Sequence, residues 1–260
     1  MAQTVLITGA SSGIGYEFAN IFAAQGYSLV LVARSEGELR ELSQRLSQQA
    51  VEVTVLPFDL SQPEAPQQLF EQTKAQGLQI DILINNAGIG DYGPFIESDW
   101  PKQNTMLQLN MAALTHLCHL FLPEMVARRS GKVLNVSSLA AFQPGPFMAV
   151  YYATKAYVLS FTEAINSELK GSGVMATALC PGPTQSKFQA RANLTEIDFF
   201  QSNQLPTAAE VAQFGYEALM RQDTVAVHGW TNKLLATLPR LLPRQVITSA
   251  VRRMQAPSQA

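Results

Sequence analysis

The chain has 260 residues, 47% of them hydrophobic and 15% charged, with a net charge of −2. The charge and a pI near 5.9 argue against a general nucleic-acid binder, which carries a basic patch, and two cysteines without a C-x-x-C pair argue against a disulfide framework or a redox or zinc motif. A charged fraction below the ~25% of an average soluble protein implies extensive surface buried between layers or subunits, as in a homo-oligomer, and the cysteine usage fits a reducing cytoplasm.

The chain opens "MAQTVLITGA", a strand-like run with no basic stretch or cleavage site ahead of it, so no secretion signal is expected. Short β-branched runs then alternate with helical periods: "TVLITG" and a helix over 13–25, "SLVLVA" and 36–49, "VEVTVLPF" and 62–76. "IDILINNAG" precedes a long helix from about Trp100 to Arg129, "KVLNVSS" a helix from about Ala149 to Lys170, and "VMATALCPG" an irregular stretch from Pro181 to Pro206. A helix near Thr207 to Met220 and a seventh strand near "TVAVHG" complete the pattern. The uncharged run Val133 to Thr154 is long enough for a membrane span, but its Asn, Ser, Gln, Gly and Pro residues rule that reading out. Strands that read as continuous apolar runs are buried on both faces. The expected fold is therefore α/β: a single doubly wound, Rossmann-type domain with a parallel seven-stranded sheet and helices on both faces. Residues 1–230 form the dinucleotide-binding oxidoreductase domain, with a substrate loop over about 183–206. Residues 231–260 are a basic amphipathic extension of it.

In such sheets the ligand lies beyond the carboxyl ends of the strands, where the winding reverses. "TGASSGIG" follows the first strand there and opens a helix. Gly9, Gly13 and Gly15 permit a tight turn and close approach of the backbone to a diphosphate, with Ser11, Ser12 and Ile14 completing the cradle at the helix N-terminus. The spacing G-x-x-x-G-x-G departs from the dinucleotide fingerprint G-x-G-x-x-G, so the strand and helix around it carry the reading. The second strand ends at Ala33-Arg34, where an acidic side chain would bind the ribose hydroxyls of NAD. An arginine suits the 2′-phosphate of NADP, so NADPH is expected over NADH.

"YYATK" places Lys155 three and four residues after two tyrosines, and both spacings share a helix face. Local geometry leaves the choice of tyrosine open. Taken with "TGASSGIG", "NNAG" (85–88), Ser138 thirteen residues before Tyr151, and Pro181-Gly182, the "Y-x-x-x-K" of Tyr151 and Lys155 resembles the short-chain dehydrogenase/reductase family, from about residue 3 to 230. The resemblance implies that Tyr151 is the proton donor and acceptor, that Ser138 binds the reacting oxygen and that Lys155 binds the nicotinamide ribose. Asn110 is implied to hold a water linked to the lysine, Ser137 to be structural, and Tyr152 to face away as packing or pocket wall. An ammonium nearby and a cationic nicotinamide ring are expected to favour the Tyr151 phenolate. The resemblance also carries Asp59 and Leu60 to the adenine, Asn86, Ala87 and Gly88 to the adenosine side, and Pro181, Gly182 and Thr184 to the nicotinamide end, with Ser186 standing where many relatives have threonine.

A serine hydrolase is disfavoured because no G-x-S-x-G elbow is present, and the three histidines and two cysteines form no metal-ligand spacing, so no metal is expected. A non-catalytic NADP-binding sensor or scaffold is the rival reading, and the intact Asn110, Ser138, Tyr151 and Lys155 set argues against it. Phe142, Phe147, Met148, Phe188, Phe199 and Phe200, around and after the expected site, suggest an apolar carbonyl or alcohol as substrate. Residues 225–260 carry five of the 18 bases and none of the 20 acids, interleaved with apolar residues. Such a segment is expected to pack on its own domain or a neighbouring subunit; weak peripheral membrane contact through 231–253 is the alternative.

Overall fold

The computed structural model of the chain describes residues 2–194 and 205–256. Seven parallel strands form one sheet: β1 (Thr4–Thr8), β2 (Ser28–Ala33), β3 (Val53–Pro57), β4 (Ile82–Asn85), β5 (Gly131–Val136), β6 (Val174–Cys180) and β7 (Val225–Val227), in the order β3-β2-β1-β4-β5-β6-β7. The strands alternate side chains between two buried layers, as the continuous apolar runs require. Val5, Ile7, Leu29 and Leu31 point to a layer made by α1 (Gly13–Ala24), α2 (Glu36–Leu46) and α8 (Ala208–Arg221). Leu6, Val30, Val32 and Leu83 point to the opposite one, with α3 (Ala65–Ala75), α5 (Leu114–Ala127) and α6 (Ala149–Glu168). The expected doubly wound fold is the observed one.

The winding reverses between β1 and β4, where Ile7 pairs Leu31 on one side and Ile84 on the other. Thr8 clasps this point: its hydroxyl oxygen accepts the N–H groups of Asn86 and Ala87 at 3.0 Å each. α8 begins with a capping box in which the Glu210 N–H donates to Thr207 Oγ1 at 3.2 Å and the Thr207 N–H to Glu210 Oε2 at 2.8 Å.

The long helix expected over 100–129 is one continuous rod with a defect. α4 (Trp100–Leu107) passes into a π-helical segment, Gln108–Ala113, before α5. Asn110 accounts for it: its carbonyl oxygen accepts the Ile89 N–H at 3.0 Å, and its amide donates to Ile89 O at 2.9 Å and Thr154 Oγ1 at 3.2 Å. A π-turn aims a side chain that a regular helix would point elsewhere, and such turns gather at functional sites. The helices expected over 36–49 and 62–76 are shorter than their apolar periods, ending in a 3-10 turn at Ser47–Gln49 and starting at Ala65.

The short α7 (Phe188–Arg191) follows β6, and after β7 the chain forms α9 (Trp230–Thr237), a 3-10 turn (Leu238–Arg240) and α10 (Arg244–Gln255). Ile247, Val251 and Gln255, spaced four apart, are buried, and the first two pack with Ala140, Met148, Tyr152, Ala192 and Leu194. The extension therefore lies over the carboxyl end of the sheet. Among the described residues no helix is long and apolar enough to cross a membrane.

Candidate active site

A cavity of about 420 Å³ opens beyond the carboxyl ends of the strands. One end is the glycine turn. Gly9 adopts φ +68°, a conformation that favours glycine, and a Cβ there would stand 2.8 Å from Asn86 Nδ2. At Gly15 the limit is space: a Cβ would collide with Asn86 Nδ2 and the Gly9 carbonyl oxygen. The Asn86 amide is itself committed, donating to Thr8 O at 2.9 Å and Gly9 O at 3.3 Å, so it ties the glycine turn to the strand beyond the switch point.

Ser11, Ser12, Gly13 and Ile14 line the cavity where α1 begins. No side chain caps that helix and its first turn has no acid, which leaves its N-terminal amides and positive dipole end directed at the cavity. This is the chemistry a diphosphate fits. Arg34, Asp59 and Leu60 line the same end, with Ala87 and Gly88 beside them. Burial acts to raise the Asp59 pKa, but hydrogen bonds from the Ser61 hydroxyl and N–H, with the Arg34 guanidinium nearby, hold it below the usual carboxylate value. Lys187, to which no role was given from sequence, lines this end too and reaches Glu38 at 3.4 Å.

Toward the other end stand Ser138, Tyr151 and Lys155. Ser138 caps a 3-10 turn, Leu139–Phe142, by accepting the Ala140 N–H at 3.1 Å, which holds the serine at the end of β5. Ser137, which also lines the cavity, donates to Lys155 O at 2.8 Å, fastening β5 to α6. Lys155 is buried and its ammonium donates to Val136 O at 2.8 Å. Burial lowers its pKa to about 8. Tyr151 is pushed the other way, to about 12, again by burial; a hydrogen bond with Ser138 opposes this and the neighbouring Tyr152 adds to it.

In the free chain burial thus opposes the phenolate that the ammonium and the nicotinamide ring are expected to favour. Lys155 Nζ lies 5.8 Å from the Tyr151 ring centroid and spends its hydrogen bond on a backbone carbonyl, so desolvation outweighs the charge. Asn110 does not line the cavity. It stands behind Gly88, where a Cβ would lie 3.2 Å from Asn110 Oδ1 and 3.5 Å from Lys155 Nζ.

Residues 3–197 match the family model described as short chain dehydrogenase. The chain belongs to the short-chain dehydrogenase/reductase family. A short chain dehydrogenase of Pseudocercospora fijiensis is 34% identical over 193 residues, 72% of this chain and 62% of that protein, so less than two thirds of the relative is spanned. Among solved structures, a short-chain dehydrogenase from Sphingobium yanoikuyae in complex with NADPH superposes with a TM-score of 0.83 at 32% identity, covering 99% of this chain and 98% of that one. A bulky-bulky ketone specific alcohol dehydrogenase from Comamonas testosteroni gives 0.79 at 29%, covering 99% and 97%.

In this short-chain dehydrogenase Pro181, Gly182, Thr184 and Ser186 run along the cavity beside Ser138 and Tyr151. A Cβ on Gly182 would stand 2.6 Å from Asn232 Nδ2, so α9 rests directly on this turn. Tyr152 is buried, lines the cavity and receives a hydrogen bond from Gln255 Nε2, while Tyr92 donates to Gln255 O at 2.5 Å. Of the aromatic set expected around the substrate, Phe188 lines the cavity, with its ring centroid 5.4 Å from that of Tyr151, as does Met148. Phe142 instead packs with Leu159 and Cys180, and Phe147 against Tyr92, because both project away from the cavity wall. Phe199 and Phe200 lie outside the described residues.

Leu194 and the extension residues Leu235, Leu238, Ile247, Ala250, Val251 and Met254 complete the apolar wall. No role at the site was expected for them. The four-residue spacing of Ile247 and Val251 signalled a helix with one buried face, but nothing local signalled which surface it covers.

Proposed function

We propose that the chain reduces a lipophilic ketone with NADPH, or oxidises the matching alcohol. The single observation that carries this reading is that Tyr151, Ser138 and Lys155 share one cavity with the glycine turn at one end and an apolar wall at the other. When bound, the nicotinamide dinucleotide supplies or accepts the hydride. Tyr151, its proton held in place at neutral pH by burial, gives that proton to the carbonyl oxygen, and the Ser138 hydroxyl donates a hydrogen bond to the same oxygen. Lys155 binds the nicotinamide ribose, and Asn110 holds the loop through Ile89 against α6 behind it.

Arg34, with Lys187 as a second cation, supports NADPH over NADH, since no acid ends β2 to receive ribose hydroxyls. The Sphingobium relative is in complex with NADPH and the Comamonas relative is specific for bulky-bulky ketones, in line with the apolar wall. A cytoplasmic homo-oligomer, with residues 231–260 an extension of the 1–230 domain, belongs to the same reading.

The test is a panel of carbonyls, from small sugars to long-chain and polycyclic ketones, followed by nicotinamide absorbance with each cofactor. Tyr151→Phe should lower kcat by about 10²- to 10⁴-fold with dinucleotide affinity retained, and Arg34→Asp should reverse the cofactor preference. Faster turnover of sugars than of apolar ketones would remove the substrate assignment; wild-type speed in Tyr151→Phe would remove the mechanism.

A further inference from the structure

The two sides of the C-terminal hairpin differ in kind. Its inner side closes the cavity. Its outer side is exposed and strongly apolar: Trp230 is 73% exposed, Leu234 58%, Leu241 76% and Val246 53%. Trp230 and Leu234 on α9 and Leu238 just beyond it follow at four-residue intervals and share one stripe, which the Leu238–Arg240 turn carries on to Leu241 and Leu242. Monomeric proteins rarely leave so continuous an apolar run uncovered. Lys233, Arg244 and Arg253 are exposed among these residues, and no Asp or Glu occurs from 225 to 260.

We propose that this face docks on the surface of an anionic lipid bilayer, with Trp230, Leu234, Leu241 and Val246 entering the headgroup region and the cations meeting lipid phosphates. Charge complementarity selects this occupant. A second copy meeting the face across a two-fold axis would bring like charges together, whereas a negatively charged bilayer attracts each Lys or Arg by about fivefold in affinity. Tryptophan and leucine are suited to the boundary between headgroup and acyl chain. Leu235 and Leu238 give the docking a consequence: each is 45% exposed and each also lines the cavity, so the cavity mouth borders the docked face. A lipophilic ketone dissolved in the bilayer then reaches Tyr151 without crossing water. The docking stands independently of the carbonyl reading, and this delivery step rests on it.

The protein has two tryptophans, so Trp100→Phe leaves Trp230 as the only reporter. The full chain is sedimented with vesicles of phosphatidylcholine alone and with about three parts in ten phosphatidylglycerol. Docking predicts at least about tenfold more binding to the anionic vesicles, its loss when salt rises from about 0.05 to 0.5 M, and a blue shift of Trp230 emission on binding. The double substitution Leu234→Glu, Leu241→Glu should cut binding about tenfold or more and leave turnover of a water-soluble ketone within about twofold. No binding, equal binding to neutral vesicles, or an unshifted Trp230 overturns the proposal. So does a fall in molecular mass by light scattering in the double variant, which would make the face a protein interface. Vesicle binding without turnover of any ketone would instead leave docking intact and remove the carbonyl reading.

Discussion

Replacing Lys155 with methionine separates what the buried ammonium costs the fold from what it contributes to chemistry. In the folded chain burial brings the lysine to about 8, against an unperturbed 10.5. Between those values the unfolded chain binds more protons than the folded one, so the lysine makes stability rise with pH, and below about pH 8 it imposes its full penalty. The shift corresponds to roughly 3 kcal/mol at neutral pH, and roughly 2 kcal/mol of that is relieved between pH 7 and 10. The hydrogen bond to Val136 O at 2.8 Å persists in the neutral amine, so losing it in Lys155→Met adds an offset with little pH dependence. Cys118 and Cys180, both raised to about 12 by burial, oppose the rise above pH 9. They do so in both proteins, which is why the difference between them is the quantity to measure. Urea unfolding of wild type and Lys155→Met across pH 7 to 10 should show the variant's relative stability falling by roughly 2 kcal/mol as pH rises. Parallel stability curves would mean that Lys155 is not desolvated in the folded chain, and the opposite assignment of charge at the site would follow.

Three further outcomes follow from the geometry. Gly15→Ala drives a methyl into the Gly9 carbonyl and Asn86; it should cost roughly 1 to 3 kcal/mol in denaturant unfolding and abolish dinucleotide binding by calorimetry. Asn110→Leu leaves the Ile89 N–H and carbonyl unpaired and should lower stability by roughly 2 to 4 kcal/mol, read as a Tm fall of about 5 to 12 °C. Tyr152→Phe and Gln255→Leu should differ although they break one hydrogen bond. Gln255 Oε1 is buried without a partner among the described residues, so removing the amide offsets the loss and stability should stay within about 1 kcal/mol, whereas Tyr152→Phe leaves the whole amide unpaired and should cost roughly 1 to 3 kcal/mol. Equal effects in unfolding would contradict this.

What the sequence made legible was the chemistry that a backbone conformation or a single spacing demands. A left-handed Gly9, a methyl-excluding Gly15 and a continuous apolar strand each admit few residue types, so the turn, the sheet and the place of the cavity can be read locally. The acidity of Tyr151 could not be read that way. Its helical spacing to Lys155 fixes which face the two share but not how much water either retains, and it is the retained water that sets the sign. The π-segment at Asn110 is another case, because the groups that hold it, at Ile89 and Thr154, come from distant parts of the chain.

The C-terminal segment shows where local reading ends and what tertiary structure adds. Its alternation of bases and apolar residues is equally that of a packing helix and of an interfacial one, and the composition cannot divide them. The fold divides the segment into a buried face and an exposed one, and the proposed docking belongs to the second. Ile247 and Val251 turn inward over the cavity, while Trp230, Leu234 and Leu241 turn outward. Asn232 lies against Gly182 and Gln255 donates to Tyr152, so both ends of the segment rest on the cavity walls around Tyr151. If the proposed ketone binds in this cavity, changes to the segment's apolar lining should alter which ketones are accepted before they alter the rate of the chemical step.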